Sequence, residues 1–216
     1  MSGDQYTRQR ARMVESQIIA RGVHDPRVLH ALREIPRHRF VPAELQPHAY
    51  EDRPLNIGCG QTISQPYIVA LMTQLLELRV TDRVLEVGTG SAYQAAVLAV
   101  LAAEVITIER QETLAERASE RLVELGYANV TVVTGDGSLG YPSGAPFDAI
   151  IVTAAAPRVP PSLKAQLAPG GRLVCPTGAR GFQSLTRLVR KGDDFEEHHD
   201  IRCVFVPLLG KEGWEE

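Results

Sequence analysis

VLEVGTGSAYQ, residues 84 to 94, is an apolar run that ends at Gly88 and Gly90 and opens directly into a helical pattern. Glycine tolerates positive φ and lets a ligand approach the backbone closely, so a strand–glycine–helix junction is a candidate nucleotide cradle. Glu109 closes the next apolar run, 19 positions after Gly90, the offset at which a carboxylate accepts from ribose hydroxyls. Asp136, within Gly135-Asp136-Gly137, closes the run after that and is placed to accept from an adenine amino group. Two acids at successive strand ends make a ligand-free glycine turn the weaker reading.

The pattern also narrows the ligand. A dinucleotide fingerprint needs glycine at position 93, where this chain has Tyr93. Glu86, two residues before Gly88, fits poorly beside a pyrophosphate but suits a cationic, phosphate-free ligand. S-adenosylmethionine, with its sulfonium and ammonium groups, is such a ligand. The run Glu-Val-Gly-Thr-Gly-Ser-Ala resembles the E/D-x-G-x-G-x-G signature of class I methyltransferases, with Ala92 in the place of the third glycine.

Outward from this junction the chain alternates. Residues 105–109, 130–137, 147–155 and 170–178 read as strands, and 92–103, 113–125 and 161–167 as helices. Alternation of this kind builds a mostly parallel sheet with helices on both faces, a Rossmann-like α/β fold. SLTRLVRK at 184–191 and IRCVFVPLL at 201–209, with a KGDD turn signal after the first, read as antiparallel strands added at the edge. Ligands of such sheets sit beyond the carboxyl ends of the strands, which singles out loops 88–92, 109–111, 135–138 and 153–157.

Residues 1–80 read as a helical extension and 81–216 as the sheet unit, together one compact body. Met13, Val14, Ile18 and Ile19 recur at helical spacing, with Gly22 as a stop; Asp25-Pro26 is a cap followed by proline at the first helical position. Residues 36–63 read as an ordered loop. In GQTISQP, residues 60–66, Ser64 or Gln65 is expected to cap a helix whose Ile68, Leu71, Met72, Leu75 and Leu76 face the core.

With 216 residues, 44% hydrophobic and 23% charged, the composition is that of an ordinary globular chain, and a net charge of -3 gives no field to draw it to nucleic acid or anionic membranes. Arg8, Arg10 and Arg12 read as a solvated helix face. The longest apolar run, Ala95 to Ala103, is too short to cross a bilayer, and the polar N-terminus reads as no signal peptide. The three cysteines form no CxxC pair, which points to a reducing cytoplasm; six scattered histidines give no zinc spacing, so no metal is expected.

Beyond the glycine turn, GxGQTISQPYxVAxM resembles a stretch of the protein-L-isoaspartate O-methyltransferase family, matched here from Gly58 to Met72 with Cys59 where the family usually has histidine. RHRFVP (37–42), AYEDRPLNIG (49–58), VLEVGTGSAYQAAVLA (84–99) and the closing VFVPLLGKEGW extend the resemblance from about residue 13 to 214. The resemblance implies methyl transfer from S-adenosylmethionine to the free α-carboxylate of L-isoaspartyl residues in damaged proteins and peptides, leading to repair through a succinimide. It implies Ser64 as the active-site residue, with Gln61, Thr62 and Ile63 over the cofactor. Glu86, Gly88, Thr89, Gly90, Ser91, Glu109, Arg110, Asp136 and Gly137 complete the expected cofactor set, and Gln183 is a further expected substrate contact.

A carboxylate is already ionised at neutral pH, so Ser64 is expected to position the acceptor rather than form a covalent bond. No His–Asp pairing signature accompanies it. A monomer is expected. Two alternatives stay open on the residues alone: a methyltransferase acting on another nucleophile, and a binding module that holds an adenosyl ligand without turnover.

Overall fold

The computed structural model describes residues 3 to 215; residues 1, 2 and 216, the outer ends of the two expected parts, lie outside the described residues. Helix α1 (Gly3–Met13) continues through a π turn at Val14–Ile18 and a 3-10 turn at Ile19–Arg21, and stops at Gly22 with φ 90°. Helix α2 (Pro26–Glu34) starts as expected: the Asp25 side chain accepts from Arg27 N, with Pro26 at the first position.

The segment expected to be a loop holds more structure. It carries 3-10 turns at Arg37–Phe40 and Ala43–His48, then a hairpin of β1 (Leu55–Gly58) and β2 (Gln61–Ile63). These strands are too short for alternation to register in sequence. Helix α3 (Pro66–Leu75) begins after Gln65, but neither Ser64 nor Gln65 caps it; Asp52 Oδ1 accepts from Tyr67 N at 3.3 Å instead. That corrects the capping expectation: the hairpin pulls Ser64 away from the helix start, and a more distant carboxylate serves it.

The sheet strands are β3 (Arg83–Val87), β4 (Glu104–Glu109), β5 (Val130–Thr134), β6 (Phe147–Val152), β7 (Leu167–Ala179), β8 (Phe182–Lys191) and β9 (Asp194–Cys203). They lie in the order β5-β4-β3-β6-β7-β8-β9. The first five pair in parallel, and β8 and β9 are antiparallel additions. β9 starts earlier than the apolar run 201–209 predicted. A tight turn through Gly192 sets Lys191 opposite Asp194, so the polar residues from 194 onward are the ones that pair. An edge strand needs no burial to pair; the apolar residues after Cys203 leave the sheet.

Helices α4 (Tyr93–Leu101) and α5 (Glu112–Glu124) connect β3, β4 and β5, and the short α6 (Pro161–Ala165) precedes β7. Val84, Val105 and Ile151 face a cluster with Leu32, Met72, Leu98 and Leu122 from α2 to α5. Leu85, Ile106 and Ile150 face the other way, onto Leu163, Leu167 and Leu208. This is period-two alternation along each strand. The crossover side changes because strand order reverses at β3, which makes the β3/β6 boundary the switch point. Met13, Ile18 and Phe40 of the N-terminal part lie in the first cluster, so that part shares one core with the sheet.

One buried ion pair ties the sheet to the turn after α3. Arg172 Nη2 meets Asp82 Oδ2 at 2.5 Å, and the guanidinium also donates to the carbonyls of Leu76, Glu77 and Asp148. Side-chain exposures are only 10% and 5%. Removing one partner leaves a buried charge uncompensated, so Asp82→Ala is expected to lower the unfolding free energy by about 3–5 kcal/mol in urea titration.

Candidate active site

At the switch point, Thr153 N donates to Val87 O at 2.9 Å and Thr153 Oγ1 to Gly88 O at 2.6 Å, clamping the end of β6 against that of β3. A Cβ on Gly88 would stand 2.4 Å from Thr153 Oγ1, and φ there is 98°. Only glycine fits. The turn then leaves the sheet, with Gly88 N and Thr89 N both donating to Ile108 O. Ala92 adopts φ 68° directly before α4, so the alanine in the third-glycine place keeps the left-handed backbone that glycine would take freely.

Glu109 is nearly buried, and its carboxylate is fixed by two backbone donors: Gly90 N at 2.9 Å and Gln111 N at 3.0 Å. Each oxygen keeps a further acceptor direction. Gly137 approaches Val87 so closely that a Cβ would meet its Cγ1 at 2.5 Å. Beside it, Asp136 Oδ1 accepts from Ser138 N and Oγ, and Oδ2 from Lys211 N at 2.8 Å. Partial burial alone would raise its carboxyl; the Lys211 and Ser138 donors outweigh that and hold it below the ordinary value.

Glu86 is fully buried behind the turn. Its Oε2 accepts from Thr107 Oγ1 at 2.5 Å, Thr107 Oγ1 lies 2.7 Å from Thr89 Oγ1, and Oε1 has no partner. Burial pushes its pKa up to about 8, the Thr107 bond opposing and the Glu109 charge adding to the rise.

The hairpin lies across this ground. Its turn, Gly58-Cys59-Gly60, has positive φ at all three residues, and Gln111 Nε2 donates to Cys59 O at 3.1 Å, joining the turn to the loop after β4. The chain after β9 closes another side: Ala155 N donates to Val206 O and Leu208 N to Ala155 O.

Three adjoining spaces result. An outer cleft runs between Gln61, Thr62, Gly88, Gly90, Glu109, Arg110, Gln111, Gly137 and the tail at Val206–Leu209. A small inner passage is bounded by Thr62, Ile63, Ser64, Gly88, Thr89, Ser91, Tyr93 and Thr153. A groove opens on the far side, past Ser64, Tyr67, Arg21 and residues 201–206. Thr62 and Thr153 border all three, and Ser64 stands between passage and groove.

Most of the expected residues therefore converge. Glu86 and Asp136 stand just behind the walls rather than on them. Gln183 is a correction: its Nε2 donates to Ala179 O and its Oε1 accepts from Phe205 N, so its amide holds the groove wall instead of facing the groove. Thr153, Gln111 and the tail were not singled out by residue type. For Thr153 the signal was position alone, at the end of the fourth parallel strand.

The fold and cleft define a Rossmann-like class I S-adenosylmethionine-dependent methyltransferase. The model of the family described as Protein-L-isoaspartate(D-aspartate) O-methyltransferase matches residues 8–213, and the chain belongs to that family. It is 56% identical over 215 residues to the protein-L-isoaspartate O-methyltransferase of Methanoculleus marisnigri, covering 100% of this chain and 98% of that one. It is likewise 56% identical over 208 residues to that of Rhodopseudomonas palustris, with 94% of each covered. A solved protein-L-isoaspartate O-methyltransferase superposes with TM-score 0.84 at 30% identity, over 94% of this chain and 67% of that one. A Plasmodium falciparum structure described as a "putative protein-L-isoaspartate O-methyltransferase beta-aspartate methyltransferase (PCMT)" in complex with S-adenosyl-L-homocysteine shares the fold with TM-score 0.80 at 24% identity, over 93% and 98% of the two chains.

Glu86 carries a measurable signature. Unfolded, its carboxyl loses the proton near its ordinary value of 4.5; folded, it keeps it to about pH 8. The folded chain binds more protons across that window, so this group removes stability as pH rises through it. Glu86→Gln is expected to abolish that contribution. Its gain in Tm over the parent should be larger at pH 8 than at pH 5 by thermal unfolding.

Proposed function

We infer that this chain is a protein-L-isoaspartate O-methyltransferase, transferring a methyl group from S-adenosylmethionine to the α-carboxylate of L-isoaspartyl residues in damaged proteins and peptides. The observation that carries the reading is the meeting of cofactor-side cleft and open groove at Thr62, Ser64 and Thr153.

The residues present fit the cofactor. The Gly88 cradle admits no Cβ, and the partnerless Glu86 Oε1 suits a cationic ligand nearby, directly or through water. Glu109, pre-aimed by Gly90 N and Gln111 N, has acceptor capacity for two ribose hydroxyls. Gln61, Thr62, Ile63, Thr89, Ser91, Arg110 and Gly137 line the same space. Asp136 is assigned to shaping the adenine side through Gly137 and the tail. When bound, the cofactor supplies a methyl group activated by its sulfonium.

The chain's own task is alignment. The substrate carboxylate needs no base at neutral pH. The Ser64 hydroxyl, which has no hydrogen bond to another described residue, is assigned to orient it across the passage. A neutral donor holds an anion without a contact ion pair that attack would have to break. The hairpin and the tail exclude water. Positioning of this kind contributes roughly 7–11 kcal/mol in effective concentration. The ester product closes to a succinimide unaided as the neighbouring backbone nitrogen attacks the ester carbon and methanol leaves, and hydrolysis of the ring returns part of the material to normal aspartate.

We take the enzyme to act as a cytoplasmic monomer without nucleic-acid or membrane partners. Among the described residues no helix is long and apolar enough to cross a membrane, and the net charge of -3 provides no basic field.

A pair of peptides differing only in isoaspartyl against aspartyl linkage tests the reading. Methyl transfer is expected to the isoaspartyl peptide alone; equal transfer to both, or to neither, overturns it. Ser64→Ala is expected to lower kcat by roughly tenfold or more while the Kd for adenosylhomocysteine stays within about twofold. A methyl- or acyl-serine adduct in mass spectrometry would contradict the positioning role.

A further inference from the structure

Arg37 is the largest wholly buried side chain of the described residues, yet no carboxylate lies within ion-pair distance of it. Its Nε donates to Ala49 O at 2.7 Å and its Nη2 to Ser64 O at 2.7 Å. The guanidinium lies 4.8 Å from the centre of the Tyr93 ring. Its Nη1 and the Tyr93 hydroxyl are both buried without a hydrogen-bond partner. Burial draws its pKa down to about 10, offset in part by Tyr93, Tyr50 and Asp52, so it stays charged at neutral pH.

Ser64 has few other local ties. The β1–β2 pairing ends one residue earlier, at Leu55 opposite Ile63. Pro66, the first residue of α3, offers no N–H, and the Gln65 side chain does not cap the helix. The Ser64 carbonyl bond thus fixes Ser64 itself, while Asp52 holds the next residues through Gln65 Nε2 and Tyr67 N. The same residue borders both the inner passage and the groove.

We propose that Arg37 is a positioning residue for methyl transfer: by gripping the main-chain carbonyl of Ser64 it sets where the Ser64 hydroxyl meets the acceptor carboxylate. This rests on the assignment of Ser64 above. The geometry demands arginine. A planar fork reaches two carbonyls from different segments at once, which a lysine ammonium does not reproduce. Stability is a weak reason for a guanidinium here, since burying a charge without a carboxylate partner is expensive. Contact with the Tyr93 face offsets part of that cost.

The test is a double-variant cycle with Arg37→Lys and Arg37→Met, each alone and combined with Ser64→Ala. Readouts are kcat and KM for an isoaspartyl peptide, KM for S-adenosylmethionine, Tm, and amide hydrogen exchange over residues 61–67. Alone, each Arg37 variant is expected to lower kcat by about ten- to a hundredfold, with KM for S-adenosylmethionine within about twofold. In the Ser64→Ala background the further loss is expected to fall below about twofold, because the hydroxyl to be placed is gone. Exchange is expected to quicken at 61–67 while other segments hold. Met keeps the stem's packing, so it carries the test if the Lys variant folds poorly. Losses that multiply in the double variants, a parallel rise in KM for S-adenosylmethionine, wild-type kcat in Arg37→Met, or unchanged exchange at 61–67 would each overturn the proposal. Failure of the wild-type chain on the isoaspartyl peptide overturns the functional reading instead. The exchange measurement still reports on the grip itself in that case.

Discussion

The clamp between Gly88 and Thr153 is the constraint on which the rest depends. A parallel sheet whose strand order reverses leaves a gap above the reversal, and the two strand ends there must be held without filling it. Here Thr153 holds both Val87 O and Gly88 O, and the missing Cβ of Gly88 leaves room for the Thr153 hydroxyl to do so. The chain then turns outward instead of across the gap. Gly137 repeats the device against Val87 one strand pair away. Two absent side chains thus define the floor, and what encloses it is borrowed from the two ends of the chain.

Those borrowed walls are anchored by apolar side chains, Leu55, Ile57 and Ile63 of the hairpin and Leu208 of the tail, and fastened further by polar bonds. The hairpin turn is attached through Gln111 to the loop after β4, and the tail through Ala155 and Asp136. The Asp136 contact is close enough that a Cβ on Gly210 would reach its Oδ1 at 2.1 Å. Gln183 secures Phe205 in the same manner. Individual bonds of this type contribute about 0.5–1.5 kcal/mol each. The sheet, with its buried Arg172–Asp82 pair, carries the two apolar clusters, and hairpin and tail are joined to it through those clusters as well as through these bonds.

The floor was legible in sequence and the walls were not, for a physical reason. Periodicity reports burial, and β3, β4 and β6 are buried along almost their whole length, so VLEVGTG, VITIE and FDAIIV stand out. The hairpin strands are three or four residues long, below the length at which alternation registers. The tail runs against its sequence pattern: FVPLL is apolar yet packs as irregular chain against Ala155, while the polar run from Asp194 pairs at the sheet edge. Gln183 is expected at the site from the family resemblance alone, but which atoms its amide meets depends on the fold of β7 and residue 205. Arg37 is the extreme case: nothing in RHRFVP distinguishes the arginine that is buried from Arg39, which pairs with Glu124 at the surface.

Two buried ionisable groups flank the inner passage, and they differ in kind. Glu86, behind the glycine turn, is held protonated at neutral pH by burial, whereas Arg37, behind Ser64, keeps its charge. Methyl transfer from a sulfonium to a carboxylate consumes one charge of each sign. A site that met both ligands with direct, fixed counter-charges would bind the separated charges best and the neutralising transition state less well. Placing each countergroup one residue back weakens that ground-state preference. The Glu86 proton adds an adjustable element, since a nearby cation favours the carboxylate form and departure of that cation favours the acid again. On the assignment proposed for Ser64, its neutral hydroxyl is the group left to meet the acceptor, and the buried guanidinium reaches that residue through its backbone carbonyl.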